Sequence, residues 1–308
     1  MTVHRRLRRG FALAAVLWVL TVATVLGAAA ALQGHSAYDA SRNRTNGERA
    51  YWAAEGCAAE MRAVIDRTLA TSTAVDLTTT WRTLDAAVRA SNPAVRAECQ
   101  VTLAAVGSAI DVNGASDALL RKYFVTNGAG SSADSLTDAV LDWRDADDTV
   151  RIAGAERAWY IANHRPPPRN DSLVSTAELG LVRGLEDRAD LAAYLTVEPS
   201  HVCLTTAPGP VLAALPGFTD VTVNKVLDDR AKGVWFGDLN MLRSRLPQAD
   251  GDSLLVHFSE LSSLTTVDPE GWILTVSSSA GLPAIVVTTE LRLDRYATHA
   301  VVLRRRTQ

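Results

Sequence analysis

Asp142, Asp145, Asp147 and Asp148 place four carboxylates within seven positions, just after a stretch of helical period, and Glu156 follows in the next segment. Like charges this close repel one another. A Ca²⁺ ion, which takes about six to eight oxygen ligands, would offset that repulsion. The competing reading is a solvated acidic loop paired with Arg144 and Arg151, or one that caps the following helix. The run is not an EF-hand loop, because the glycine at its sixth position and the terminal glutamate are absent. Carboxylate pairs also serve acid–base catalysis, but no nucleophile or substrate-shaping motif accompanies these.

Other chemistry-bearing residues are sparse. The six histidines, at positions 4, 35, 164, 201, 257 and 299, form no His-x-x-x-His pair. No Gly-x-Ser-x-Gly elbow, complete phosphate loop or Cys–His spacing is present, and the glycine-rich residues 128–132 read as a connector. The sequence therefore reads as a non-enzyme. Cys57, Cys99 and Cys203 contain no Cys-x-x-Cys pair and allow at most one intramolecular bond plus one free thiol. Residues 211–233 fit a helix–hairpin–helix around Leu215, Pro216, Gly217 and Phe218. Asp220, Asp228 and Asp229 would repel phosphate there, which favours a packing role. Lys plus Arg total 31 against 34 for Asp plus Glu, a net charge of −3. A non-specific nucleic-acid binder should instead carry a basic face.

These residues must be held by elements, and the first is apolar. Four arginines lie in residues 1–10, and residues 11–32 then run without a charge. As a helix that run rises about 33 Å, enough to cross the hydrocarbon core, with the arginines on the cytoplasmic side. A secretory signal peptide cut near Ala31, a plain signal anchor and a prepilin leader cut after Gly10 all fit. The order of charged leader, Gly10 and then Phe11 directly abutting the apolar run favours the third.

Residues 36–46 are polar and weakly helical. From Glu48, residues Tyr51, Ala54, Ala58, Met61, Ile65 and Leu69 recur at helical steps, ending near Thr71. A second helix is expected over 84–90 and a strand over 94–104. Further helices are expected over 117–124, 136–144, 176–182, 189–195, 210–215, 222–231 and 239–244. Strands are expected over 272–277, 284–292 and 299–304. Strand, helical block and strands describe an α/β layer with an insertion.

Several segments resemble one family, the K-type minor pseudopilins of bacterial type II secretion systems. They are the Gly10–Phe11 junction, Ala50-Tyr51-Trp52-Ala53-Ala54-Glu55-Gly56, the run from Leu136 through Trp143 to Asp148, Gly154-Ala155-Glu156 before Trp159-Tyr160, and Thr205-Thr206-Ala207-Pro208 with the segment after it. Pilins and major pseudopilins commonly carry Glu at the fifth mature position, where it offsets a neighbour's α-amino charge inside the membrane. Here that position is Ala15, a lack shared with the K type. The chain departs from the family at its paired asparagines, with Cys203 and Thr205 at one pair and Asp111, Asn113 and Gly114 around another.

The resemblance implies an α+β fold. An N-terminal transmembrane helix continues into a pilin-like α/β head, a helix packed on an antiparallel sheet, which carries a large inserted all-α domain. The implied division is a leader over 1–10, a transmembrane helix over 11–32, a head over 33–110 and 250–308, and an insertion over 111–249. It further implies Ca²⁺ in the insertion, with Asp142, Asp145, Asp147, Asp148 and Glu156 as ligands, and a Cys57–Cys99 bond that leaves Cys203 free. Implied partners are the I-, J- and H-type minor pseudopilins, the major pseudopilin, the prepilin peptidase that cuts after Gly10 and leaves a methylated Phe11, and the inner-membrane assembly platform. The bulk would face the periplasm from an inner-membrane anchor. The alternative is a single-pass periplasmic binding module that takes up DNA through the hairpin.

Overall fold

The computed structural model describes residues 7–72, 77–91, 99–234, 236–282, 284–296 and 299–307. Helix α1 runs unbroken over Leu7–Thr71, 65 residues. Its first half is long and apolar enough to cross a membrane, and none of that apolar window is buried against the protein. The weak segment expected over 36–46 is helical as well. Nucleation is the costly step in helix formation, and here an apolar helix lies on one side and a packed one on the other, so the polar stretch needs only to propagate. Arg42 helps by donating to the Leu282 carbonyl at 2.7 Å, and Asn46 is buried beneath the turn that holds Gly281.

Beyond residue 50 the stripe Ala54, Cys57, Ala58, Met61, Ile65 and Leu69 is buried. It packs on a four-stranded antiparallel sheet of order β1-β6-β7-β8, formed by Cys99–Ala105, Trp272–Ala280, Ile285–Tyr296 and His299–Thr307. Alternation puts Trp272, Leu274 and Val276 on the helix side, joined by Leu291 and Leu293. Helix α2, Leu77–Arg89, starts before the expected residue 84 and adds Leu84 and Val88 to that core. Residues 94–98 of the expected first strand lie outside the described residues. The expected disulfide is present: Cys57 on α1 is bonded to Cys99 on β1, and Cys203 is free and buried.

Between β1 and β6 the chain builds a second core, from Ile110 to Leu261. Its helices are α3 (Asp117–Thr126), α4 (Ala133–Arg144), α5 (Arg157–Ala162), α6 (Ala189–Ala192), α7 (Gly209–Ala214), α8 (Asp220–Ala231), α9 (Leu239–Ser244), α10 (Gln248–Val256) and α11 (Phe258–Leu264). Residues 176–181 form a 3₁₀ helix. Two expectations need correction. The insertion is not all helical: β2 (Ile110–Asp111) pairs in parallel with β3 (Leu195–Thr196), and β4 (Val202–Cys203) with β5 (Thr265–Thr266). Two-residue strands are too short to show a period of two. The division at 249/250 also cuts through one core, since Leu254 of α10 and Leu261 of α11 are buried in the insertion.

The α7–α8 hairpin is used for packing. Lys122 donates to the carbonyls of Leu215 and Phe218, and Ser253 donates to that of Gly217 at 3.0 Å. Asp220 opens the second helix. A hairpin held from inside by a lysine is not arranged to meet phosphate.

Candidate metal centre

Helix α4 turns Leu136, Ala139, Val140 and Trp143 into the core, and the same turns bury Asp138 and Asp142. Asp142 has no exposed surface. The helix ends at Asp145, whose backbone is extended while its N–H still donates to the Leu141 carbonyl at 3.0 Å. The chain loops out and returns at Glu156, 4% exposed, which caps α5 by accepting from the Arg157 N–H at 3.3 Å. Three carboxylates therefore converge: one oxygen from each of Asp142, Asp145 and Glu156 lies within 4.8 Å of the others.

Among the described residues, Arg151 is the cation that pairs with two of them. Arg151 places Nε 3.3 Å from Asp142 and Nη2 3.7 Å from Asp145, and its backbone N–H also donates to Asp142 at 3.2 Å. Oδ1 of Asp145 and Oε1 of Glu156 are buried without a hydrogen-bond partner. Burial raises the Glu156 pKa to about 7, reinforced by the Asp142, Asp145 and Asp148 carboxylates and opposed by the Arg157 N–H. Asp142 and Asp145 are raised as well, chiefly by burial. Unpaired buried carboxylate oxygens are costly, and a hard cation satisfies them with the ligand type it prefers. The donor set fits Ca²⁺.

The other two expected ligands are not part of this group. Asp147 is exposed and accepts from the Thr149 N–H at 2.7 Å, which lowers its pKa. Asp148 is exposed and accepts from Asn170 at 2.9 Å. Both shape the loop. Arg144, which the competing loop reading pairs with the acidic run, donates instead to the carbonyls of Val112 and Ala115. Two contributors escaped the sequence reading. Asp138 holds the loop by accepting from the Ala153 N–H at 3.0 Å. Gly154 passes so close that a Cβ there would collide with the Asp142 carboxylate. Its place before Ala155 and Glu156 was the available signal. Behind the loop, Arg183 donates to the Gly154 carbonyl at 2.9 Å and lies 4.9 Å from the Trp159 ring centre, while Trp143 and Tyr160 meet edge to face at 5.2 Å.

These carboxylates lie inside the part of the chain that a family model recognises. Residues 104–200 match the model for type II secretion system (T2SS), protein K. No curated protein matches. The fold is similar to GspK in the crystal structure of the GspK-GspI-GspJ complex from the enterotoxigenic Escherichia coli type 2 secretion system. That likeness has a TM-score of 0.57 at 16% identity and covers 87% of this chain and 99% of the other. From Ala104 to Ser200 the chain matches the protein K family of type II secretion systems, within a fold that is similar to GspK along most of its length.

Proposed function

We propose that this chain works as a K-type minor pseudopilin, a structural subunit at the tip of the periplasmic pseudopilus. One observation carries the reading. A membrane-length apolar helix continues without a break into a helix-on-sheet head, and that head bears an insertion of about 150 residues, with its own core, between two of its strands. Such a bulk leaves little room for another subunit above it, and Ala15 offers no carboxylate to one. GspK is found in complex with GspI and GspJ, so the partners proposed here are the corresponding I- and J-type subunits, with the H type and the major pseudopilin below. The prepilin peptidase cuts after Gly10, Phe11 is methylated, and the assembly platform draws the subunit from the inner membrane. Asp142, Asp145 and Glu156 hold a structural Ca²⁺, whose charge offsets theirs.

Co-expression of the full chain with I- and J-type pseudopilins from one system, followed by affinity capture, tests the assembly. A folded chain that captures neither would sink it. Intact-mass analysis tests the processing, with Phe11 expected at the N-terminus carrying one methyl group. Cleavage near Ala31 would mark an ordinary signal peptide.

A further inference from the structure

The head and the insertion each have their own core, and among the described residues no helix or strand of one packs broadly on a helix or strand of the other. The chain crosses between them twice, over residues 106–109 and 267–271. Both crossings contain a glycine with positive φ, Gly107 at 87° and Gly271 at 146°, and neither has room for a Cβ. Backbone hydrogen bonds hold the crossings together, from the Val106 N–H to the Gly271 carbonyl and from the Cys203 N–H to the Gly107 carbonyl, both 2.8 Å. Space lies on both sides. One cavity of about 400 Å³ is lined by Asp111, His201, Leu264 and Glu270, and another of about 330 Å³ by Ala104, Ala109, Leu195 and Thr275.

His201 of the insertion meets Glu270 of the second crossing at 2.5 Å, and among the described residues one set of ion-paired side chains reaches from the insertion to the strands of the head. Glu198, 7% exposed, follows β3 in the insertion and reaches the outer face of the head's sheet. There it meets Arg292 of β7 at 3.1 Å and Arg304 of β8. Arg292 also donates to the Glu270 carbonyl at 3.1 Å, beside the second crossing. A buried ion group of this kind contributes little net stability, because desolvation offsets the attraction. It does fix geometry, since a planar guanidinium accepts a carboxylate in few orientations.

We propose that Glu198, Arg292 and Arg304 form a latch that holds the insertion in one orientation on the head. The crossings at Gly107 and Gly271 are the hinge about which the insertion turns when the latch opens. Hinges of this type place the backbone change in a few residues between rigid bodies. The latch residues act by positioning, and the inference does not depend on the metal centre or on the partners proposed above.

The test uses the full chain in lipid nanodiscs, with spin labels on cysteines introduced at Ser279 of the head and Ser172 of the insertion. Cys203 is buried and stays unlabelled. The unaltered latch should give one narrow distance distribution. Glu198→Gln and Arg304→Gln should each widen it about twofold and add a second maximum, as expected when one of two orientations loses its bias. Arg188→Gln, which removes only an exposed pair with Asp190, should leave it unchanged. Should Glu198→Gln fail to fold, Arg304→Gln decides alone, because Arg304 is over a third exposed. A distribution as narrow as wild type in a folded Arg304→Gln protein overturns the latch, and a broad one in the unaltered protein overturns it equally.

Discussion

At the scale of residues, the metal-free site sets a pH dependence whose sign is fixed. The Glu156 pKa rises from 4.5 to about 7 on folding, so between those values the folded state binds more protons than the unfolded state. Stability therefore falls as pH rises through that window. At about 1.4 kcal/mol per pKa unit, the loss is of the order of 3 kcal/mol. Chelated protein should melt at a lower temperature at pH 8 than at pH 5. Calcium should remove the difference, and Glu156→Gln should flatten it while shrinking the calcium response. Asp145→Asn should also shrink that response and Asp147→Asn should not, because the exposed Asp147 carboxylate accepts from Thr149 in its own loop and stands outside the carboxylate group. Equal effects of the two would contradict the site. The convergence of Asp142 and Asp145 was legible because Asp142 lies in the last turn of α4 and Asp145 is the residue that ends it. Asp147 and Asp148 were misplaced because the backbone becomes extended at Asp145, and a count of carboxylates along the chain carries no sign of that turn.

Among the elements, long periodic ones were readable and short ones were not. The stripe from Ala54 to Leu69 repeats often enough to declare its face, and β6 to β8 each run nine residues or more, with burial alternating along β6 and β8. Helices α10 and α11 bury little beyond Gly251, Leu254 and Leu261, so their period is faint. The continuity of α1 was missed because helix propensity over 36–46 is low, while cooperativity with the flanking turns is invisible to a local reading. Along α1, residues 33–44 are exposed and residues 50–69 are packed against the sheet. Hydrogen exchange of the full chain in nanodiscs should be faster in the first segment by orders of magnitude, because local opening there uncovers no buried apolar side chain and the hydrogen bond it breaks, from Arg42 to the Leu282 carbonyl, is exposed. Equal protection would mean that something covers the exposed segment. The Cys57–Cys99 bond joins α1 to the sheet's edge strand across a separation of 42 residues. Replacing both cysteines with serine should cost roughly 4 kcal/mol, read as a lower denaturant midpoint. Thiol titration of the native protein should find Cys203 unreactive until unfolding.

Across the whole molecule, two cores joined by a thin junction should unfold as two units, because few contacts couple them. Each unit carries its own handle. The carboxylate cluster lies in the insertion, while the disulfide lies in the head. A ligand that binds one folded unit stabilises that unit by mass action. At a free Ca²⁺ concentration about a hundredfold above Kd the gain is roughly 2.7 kcal/mol, a shift of roughly 5–10 °C for a unit of about 150 residues. Reduction of the disulfide acts on the unfolded state of the other unit and should lower its transition by roughly 15 °C or more. Calorimetry of the full chain in detergent, with calcium and reductant varied independently, should therefore show two transitions. Calcium should move one of them and reductant the other. The units correspond to residues 110–266 and to the rest outside the membrane, so a truncation made at 249 should fail where one made after Thr266 succeeds, since the former strips Leu254, Leu261 and β5 from the insertion. A single transition that responds to both handles would show that the junction couples the units tightly, and the hinge would then have no independent body to move.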